Sequence, residues 1–326
     1  MALVEKVRLS LGTAIQLGLE AGFLDSCFTT AFLMTYRDGK CDANCAFCPQ
    51  ARESTSSSDR LSRISWPEYS FDKVLESLDT IDTFQRYCIQ SLNYPEAVED
   101  VVNILKEIRL KTSLPVSVSI HPLDSSDIIR LRDTGATSIG VAFDACTPEL
   151  FDTVKGKKRG GPYQWETHLK ALQDALKIFG QGNVTTHLVI GLGETEKESA
   201  DFILTMNEIG VSVGLFALTG VRGTKLEKEK PPQLSTYRRM QALRFLISHG
   251  YVTKREIAMD HEGALRVELD PSLLGVLLSS GEAFRTSGCR GCNRPFYNER
   301  PSGPMYNYPR PLTPEEAAEA LAQTGW

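Results

Sequence analysis

Three cysteines fall within one short run, Cys41-Asp-Ala-Asn-Cys45-Ala-Phe-Cys48. That is one thiol more than a disulfide uses and one fewer than a closed zinc site. Thiolates are soft ligands that suit zinc or iron-sulfur clusters, and gaps of four and three residues let a short loop wrap one ion or cluster. On a four-iron cluster three ligands leave one iron open to a small molecule, whereas a structural zinc is closed by a fourth ligand. From spacing alone, a zinc site completed by a distant residue stays open as an alternative.

A second thiol pair, Cys289-Arg-Gly-Cys292, lies in the Gly- and Pro-rich stretch GCRGCNRPFYNERPSGPMYNYPRP. Alone it fits a redox pair, half a zinc site or part of a cluster. Its expected third partner is Cys27, just before the first predicted strand at the bottom of the fold, where a tail crossing that end brings the pair beside it. Ser287 is a weaker candidate for a labile fourth ligand, and the competing reading makes Cys27 a small buried apolar residue. Cys88 and Cys146 read as core residues on the same burial habit. His121 and His187 fall at or within strands and could line a cavity, and no histidine has the spacing of a zinc motif. Gly191 and Gly193 lack the remaining glycine of a dinucleotide fingerprint.

Short apolar runs alternate with helical patterns from about residue 28 to 250, the sign of strand-helix units around a parallel sheet. Six strands are expected, over residues 28–35, 84–91, 115–120, 138–143, 184–190 and 211–218. Val98, Val101, Val102, Leu105 and Ile108 share one helical face, and Met240, Leu243, Phe245, Leu246 and Ile247 line another. Six such units give an α/β fold, a partial TIM barrel of the (βα)6 kind, with its functional mouth at the C-terminal ends of the strands. Cys41, Cys45 and Cys48 lie on the loop leaving the first of them. Residues 1–27 read as an amphipathic helical segment, 28–250 as the barrel, and 251–326 as an extension carrying the second thiol pair. Thr313, Pro314 and Glu316 form a capping-box start for a last helix.

With 326 residues, 41% hydrophobic and 24% charged, the chain can bury a sizeable core. A net charge of -5 argues against nucleic acid and anionic membranes. Charges within the first 24 residues fit neither a signal peptide nor a membrane span. Eight cysteines without an export signal point to a reducing compartment, the cytoplasm.

Cys-x-x-x-Cys-x-x-Cys after a first strand, with Phe47 before the last cysteine, resembles the radical S-adenosylmethionine superfamily. The resemblance implies that Cys41, Cys45 and Cys48 hold a 4Fe-4S cluster and that the amino and carboxylate groups of S-adenosylmethionine chelate its open iron. Reductive cleavage of the sulfonium then gives a 5'-deoxyadenosyl radical able to take hydrogen from an unactivated C-H bond, within an interior that excludes water. The run His187-Leu-Val-Ile-Gly191-Leu-Gly-Glu194 resembles the superfamily's fifth-strand motif with His187 in place of its leading glycine, and assigns Val189, Gly191 and Glu194 to the cofactor. Asp144 resembles the ribose-binding acid of the biotin synthase branch, Arg159 the arginine that meets the cofactor carboxylate, and Phe216, between Leu215 and Ala217, an edge for the adenine. Each has an ordinary alternative: Asp144 a helix cap, the glycines a turn, Arg159 a solvated basic loop.

Cys88 sits where biotin synthases place a ligand of their auxiliary two-iron cluster, but Thr185 stands where strand five would carry cysteine, and strand three has none. The tail TSGCRGCNRPFYNERP instead resembles the paired radical proteins that form two-component lipoyl synthases in archaea and some bacteria. That likeness implies a radical S-adenosylmethionine sulfurtransferase whose auxiliary iron-sulfur cluster, also 4Fe-4S, gives up sulfide to an octanoyl chain on a carrier-protein lysine. The implied partners are a lipoyl-carrier domain bearing octanoyl-lysine, the complementary radical component and a ferredoxin-like electron donor. Two other readings stand beside it: a cofactor maturase that uses the second cluster for electron transfer, and a metal-binding partner subunit without catalysis.

Overall fold

The computed structural model describes residues 4–78, 83–299 and 303–326. Six parallel strands occur where the apolar runs fall, at Thr30–Thr35, Arg86–Gln90, Val116–Ser119, Ser138–Gly140, Val184–Ile190 and Ser212–Ala217, paired in that sequential order. Helices between them cover the outer face. Along Ala97–Lys111 the buried residues Val101, Val102, Leu105 and Ile108 form the stripe expected of period 3.6, and Leu234–Ser248 buries Met240, Leu243, Leu246 and Ile247 in the same way. The result is the expected partial barrel. The capping box at the last helix is present too, with Thr313 and Glu316 satisfying each other's backbone N–H groups ahead of Pro314–Ala322.

The N-terminal segment departs from its expected helix. Lys6–Leu9 is a strand, with Leu11–Gln16 a short helix behind it capped by Ser10. Val7 and Leu9 are fully buried and Arg8 between them donates to the Trp66 carbonyl at 2.9 Å, in a strand pairing antiparallel to Thr30–Thr35 on one edge and to Glu68–Ser70 on the other. The sheet therefore extends to eight strands past the first barrel strand.

The C-terminal tail crosses the barrel's open side. On the last strand the Leu215 N–H donates to Ser287 Oγ at 3.0 Å, and Gly214 lets the tail approach so closely that a Cβ there would lie 3.2 Å from the Ser287 carbonyl oxygen. At the first strand, Thr29 donates its hydroxyl to the Gly291 carbonyl at 2.6 Å and its N–H to Asn293 Oδ1 at 3.1 Å. Farther along, the buried Arg238 donates to the carbonyls of Met305 at 2.5 Å and Tyr306 at 2.7 Å, to Gln241 Oε1 at 2.7 Å and to Gln323 Oε1 at 3.0 Å.

Removing that guanidinium leaves two carbonyls and two glutamine oxygens without their charged donor. The Arg238→Ala variant should lose about 2–3 kcal/mol of stability, read from its denaturant midpoint. Arg238→Lys should recover only part of it, because an ammonium cannot reproduce the planar fork. An unchanged midpoint in the alanine variant contradicts this account of the tail's anchor.

Candidate active site

The loop leaving the first barrel strand is tied down before any cofactor is considered. Cys41 N–H donates to the Gln50 carbonyl at 2.9 Å and Ala46 N–H to the Val154 carbonyl at 2.7 Å, while Ala46's own carbonyl accepts Leu226 N–H at 3.1 Å. Asn44, fully buried, donates Nδ2 to the Arg159 carbonyl at 2.9 Å and accepts Glu53 N–H at 3.3 Å. Cys41 Sγ in turn accepts Asn93 N–H at 3.1 Å.

Burial pushes all three thiols up. Cys45 rises to about 12, and Cys48 is raised further by the facing sulfurs of Cys45 and Cys41. A buried thiolate needs a cationic partner, and metal supplies it. A cluster spreads its thiolates over several irons, and three sulfurs on one short loop are a donor set that fits a four-iron cluster.

A cavity of 180 Å3 adjoins the loop, lined by Phe47, Cys48, Asp144, Val189, Phe216 and Tyr297. It brings together four of the expected cofactor residues. Val189, Phe216 and Leu218 form a small apolar cluster of their own, with Phe47 and Tyr297 packed against it. Asp144 continues the strand ladder in left-handed backbone at φ 65, and its carboxylate accepts Lys155 Nζ at 2.7 Å.

Gly191 and Glu194 stand behind the cavity. Glu194 accepts the N–H groups of Gly191 at 2.6 Å and Leu192 at 2.8 Å, so it braces the turn rather than lining the site. Gly191 has φ 105, and a Cβ would come within 3.1 Å of Pro232 Cδ and 3.3 Å of Leu218 Cβ. Arg159 is not among the lining residues. Its guanidinium pairs with Glu53 at 3.2 Å and its carbonyl holds Asn44, which makes it a positioning residue for the cysteine loop.

A second, internal cavity of only 20 Å3 contains Cys88, Cys289, Cys292, His187 and Arg294. The Cys88 thiol is raised by burial and then by Cys289 and Cys292 facing it. Cys27, the expected third partner, is instead exposed: it lies on the basal cavity that Cys289 and Cys292 also line, and its carbonyl accepts Asn293 Nδ2 at 2.7 Å. Strand period explains the difference, because Arg86, Cys88 and Gln90 alternate into the barrel while the buried Tyr87 and Ile89 face the other way. Ser287 has its hydroxyl committed to Leu215 N–H. Cys146 packs in the core as expected.

Gln90, Ser119, His187 and Arg294 line both cavities, so the two thiol sets open on one interior. Arg294 lies 4.3 Å from the centre of the Phe216 ring. Burial pulls its pKa down, but Cys292, Tyr297, Cys88 and Cys289 outweigh that and the net direction is up. Sequence reading missed Arg294 and Tyr297, although both follow the thiol pair in Cys292-Asn-Arg-Pro-Phe-Tyr, where polar residues interrupt a buried crossing.

A cysteine loop over the mouth of a six-strand partial barrel, beside a pocket edged by Phe47, Val189 and Phe216, is an arrangement suited to an iron-sulfur radical enzyme. The Radical SAM superfamily model matches residues 39–206, and the chain belongs to that superfamily. Membership implies a 4Fe-4S cluster and S-adenosylmethionine. Within it the chain fits a biotin-synthase-like branch. It is 26% identical over 291 residues to biotin synthase of Methanococcus vannielii, covering 83% of this chain and 81% of that protein. It is 23% identical over 210 residues to biotin synthase of Prochlorococcus marinus, covering 61% and 58%. Methylornithine synthase (TM-score 0.52, 15% identity, 74% of this chain and 66% of that one) shares the fold. So does the FeFe-hydrogenase maturase HydG of Carboxydothermus hydrogenoformans (0.53, 18%, 90% and 66%).

Between the thiol sets, His187 is pushed down to about 4 by burial and then by Arg294. Because the unfolded chain binds that proton more readily, the contribution is intact above about pH 6.5 and is lost as pH falls toward 4. At pH 5 one such group costs about 2 kcal/mol. Denaturant midpoints of the metal-free protein at pH 7 and pH 5 should differ less in His187→Asn than in the parent; equal pH dependence contradicts a neutral buried imidazole.

Proposed function

We propose that this chain is a sulfur-inserting radical enzyme, one component of a two-component lipoyl synthase acting on an octanoyl chain carried by a protein lysine. The observation that carries the reading is the single barrel interior onto which both thiol sets open, with His187 and Arg294 between them. Likeness to biotin synthase over 83% of the chain supports the branch. A 4Fe-4S cluster and S-adenosylmethionine, when bound, supply one-electron cleavage of the sulfonium and so a radical able to take hydrogen from an unactivated C–H bond.

The remaining work belongs to this chain's residues. Cys41, Cys45 and Cys48 hold the first cluster, while Asp144, Val189 and Phe216 orient the nucleoside. Cys88, Cys289 and Cys292 hold the auxiliary iron-sulfur cluster that acts as sulfur source, with Arg294 offsetting the negative charge of their thiolates. Packing along the interior, including Phe32 and Val118, keeps water from the reacting carbon. The partners in this reading are a lipoyl-carrier domain, the complementary radical component and a low-potential ferredoxin-like donor.

Anaerobically reconstituted protein should hold roughly eight iron atoms, as two four-iron sites require. Incubated with the complementary component and octanoylated carrier, it should release deoxyadenosine and add sulfur mass to the carrier. In Cys88→Ser, iron should fall by about half and the mass gain should vanish while deoxyadenosine release persists. Cys27→Ser should retain the full iron. Deoxyadenosine release without any mass gain by the parent protein favours electron transfer through the second site, as in a cofactor maturase.

A further inference from the structure

Below the barrel, at the end opposite the first thiol set, lies a cavity of 970 Å3. Thr29, Gln85 and Ser212 mark the starts of barrel strands on one wall, and the tail carrying Cys289 and Cys292 forms another. Four arginines line it: Arg244, Arg285, Arg290 and Arg310. Arg310 is spoken for, with both its terminal nitrogens on Glu316 at 2.8 and 2.7 Å. The other three side chains have no hydrogen-bond acceptor and no ion-pair partner among the described residues, and Nε of both Arg244 and Arg285 is buried. Glu282 is the one acidic residue of the lining.

This concentration runs against the chain's overall charge of -5. Arg244 and Arg285 are part-buried with Glu282 the one carboxylate of the lining near them, and guanidinium groups so under-compensated are costly, a cost recovered when an anion enters. Burial already pushes Arg244 down to about 10. The cavity opens to solvent and admits a small molecule, and planar guanidinium forks match phosphate and carboxylate geometry.

We propose that the basal cavity binds a small anionic ligand bearing phosphate or carboxylate groups, held by Arg244, Arg285 and Arg290 against the outer side of the Cys289–Cys292 pair. The assignment is independent of the sulfur-inserting reading, since it concerns binding alone.

Calorimetric titration of the reconstituted protein with inorganic pyrophosphate and, separately, with tricarballylate distinguishes the two anionic groups. At least one should bind with a dissociation constant below about 1 mM, a modest affinity for several charge-assisted contacts. The Arg244→Gln/Arg285→Gln double variant should weaken binding tenfold or more. Arg290→Gln, at an exposed position, should weaken it threefold or more without altering the fold, and it decides the matter if the double variant does not fold. Arg222→Gln, outside the cavity, should leave the affinity unchanged. Failure of both probes to bind, or unchanged affinity in the Arg290 variant, overturns the assignment.

Discussion

The tail's attachment to the first and last barrel strands is the constraint on which the second thiol site depends. A six-strand parallel barrel does not close on itself, so a gap between its first and last strands leaves the interior open to water. Here Ser287 accepts from Leu215 on one flank, while Gly291 and Asn293 accept from Thr29 on the other. The intervening residues Gly288–Arg290 then have one course, across the gap. That course carries Cys289 and Cys292 to the barrel interior, where Cys88 is already turned inward by strand period. Gly214 matters for the same reason, since any side chain there would push the tail away.

Charge is divided along the barrel axis. At the mouth, buried thiols and the paired Asp144–Lys155 surround an apolar pocket. In the middle, a neutral His187 and a cationic Arg294 face the second thiol set. At the base, unpaired arginines collect around a solvent-connected cavity. One interior thus holds two sulfur-rich regions separated by a polar partition.

Much of this was legible in the sequence, for stated physical reasons. Six apolar runs of strand length gave the six strands because parallel strands are buried on both faces, and Phe47, Asp144, Val189 and Phe216 converge because they end adjacent strands or lie on the loop beside them. The N-terminal strand was hidden because its few residues fit either period, and pairing with a distant strand decided between them. The positions of Cys27, on the basal cavity, and Cys88, in the interior, relative to the thiol pair were hidden for a related reason. Proximity to the thiol pair depends on where the tail crosses, and that is set by single hydrogen bonds, one accepted by Ser287 from Leu215 and one donated by Asn293 to the Cys27 carbonyl, which no local pattern announces. Arg159 and Glu194 act one step removed, bracing the loops that hold the site, and sequence spacing does not separate a brace from a ligand.

Anomalous X-ray scattering at the iron edge, from anaerobically grown crystals of reconstituted protein, tests the central arrangement most directly. The account predicts two iron centres within one barrel, the first bounded by Cys41, Cys45 and Cys48 and the second by Cys88, Cys289 and Cys292. A single iron centre, or a second one bound through Cys27 with Cys88 left free, contradicts it.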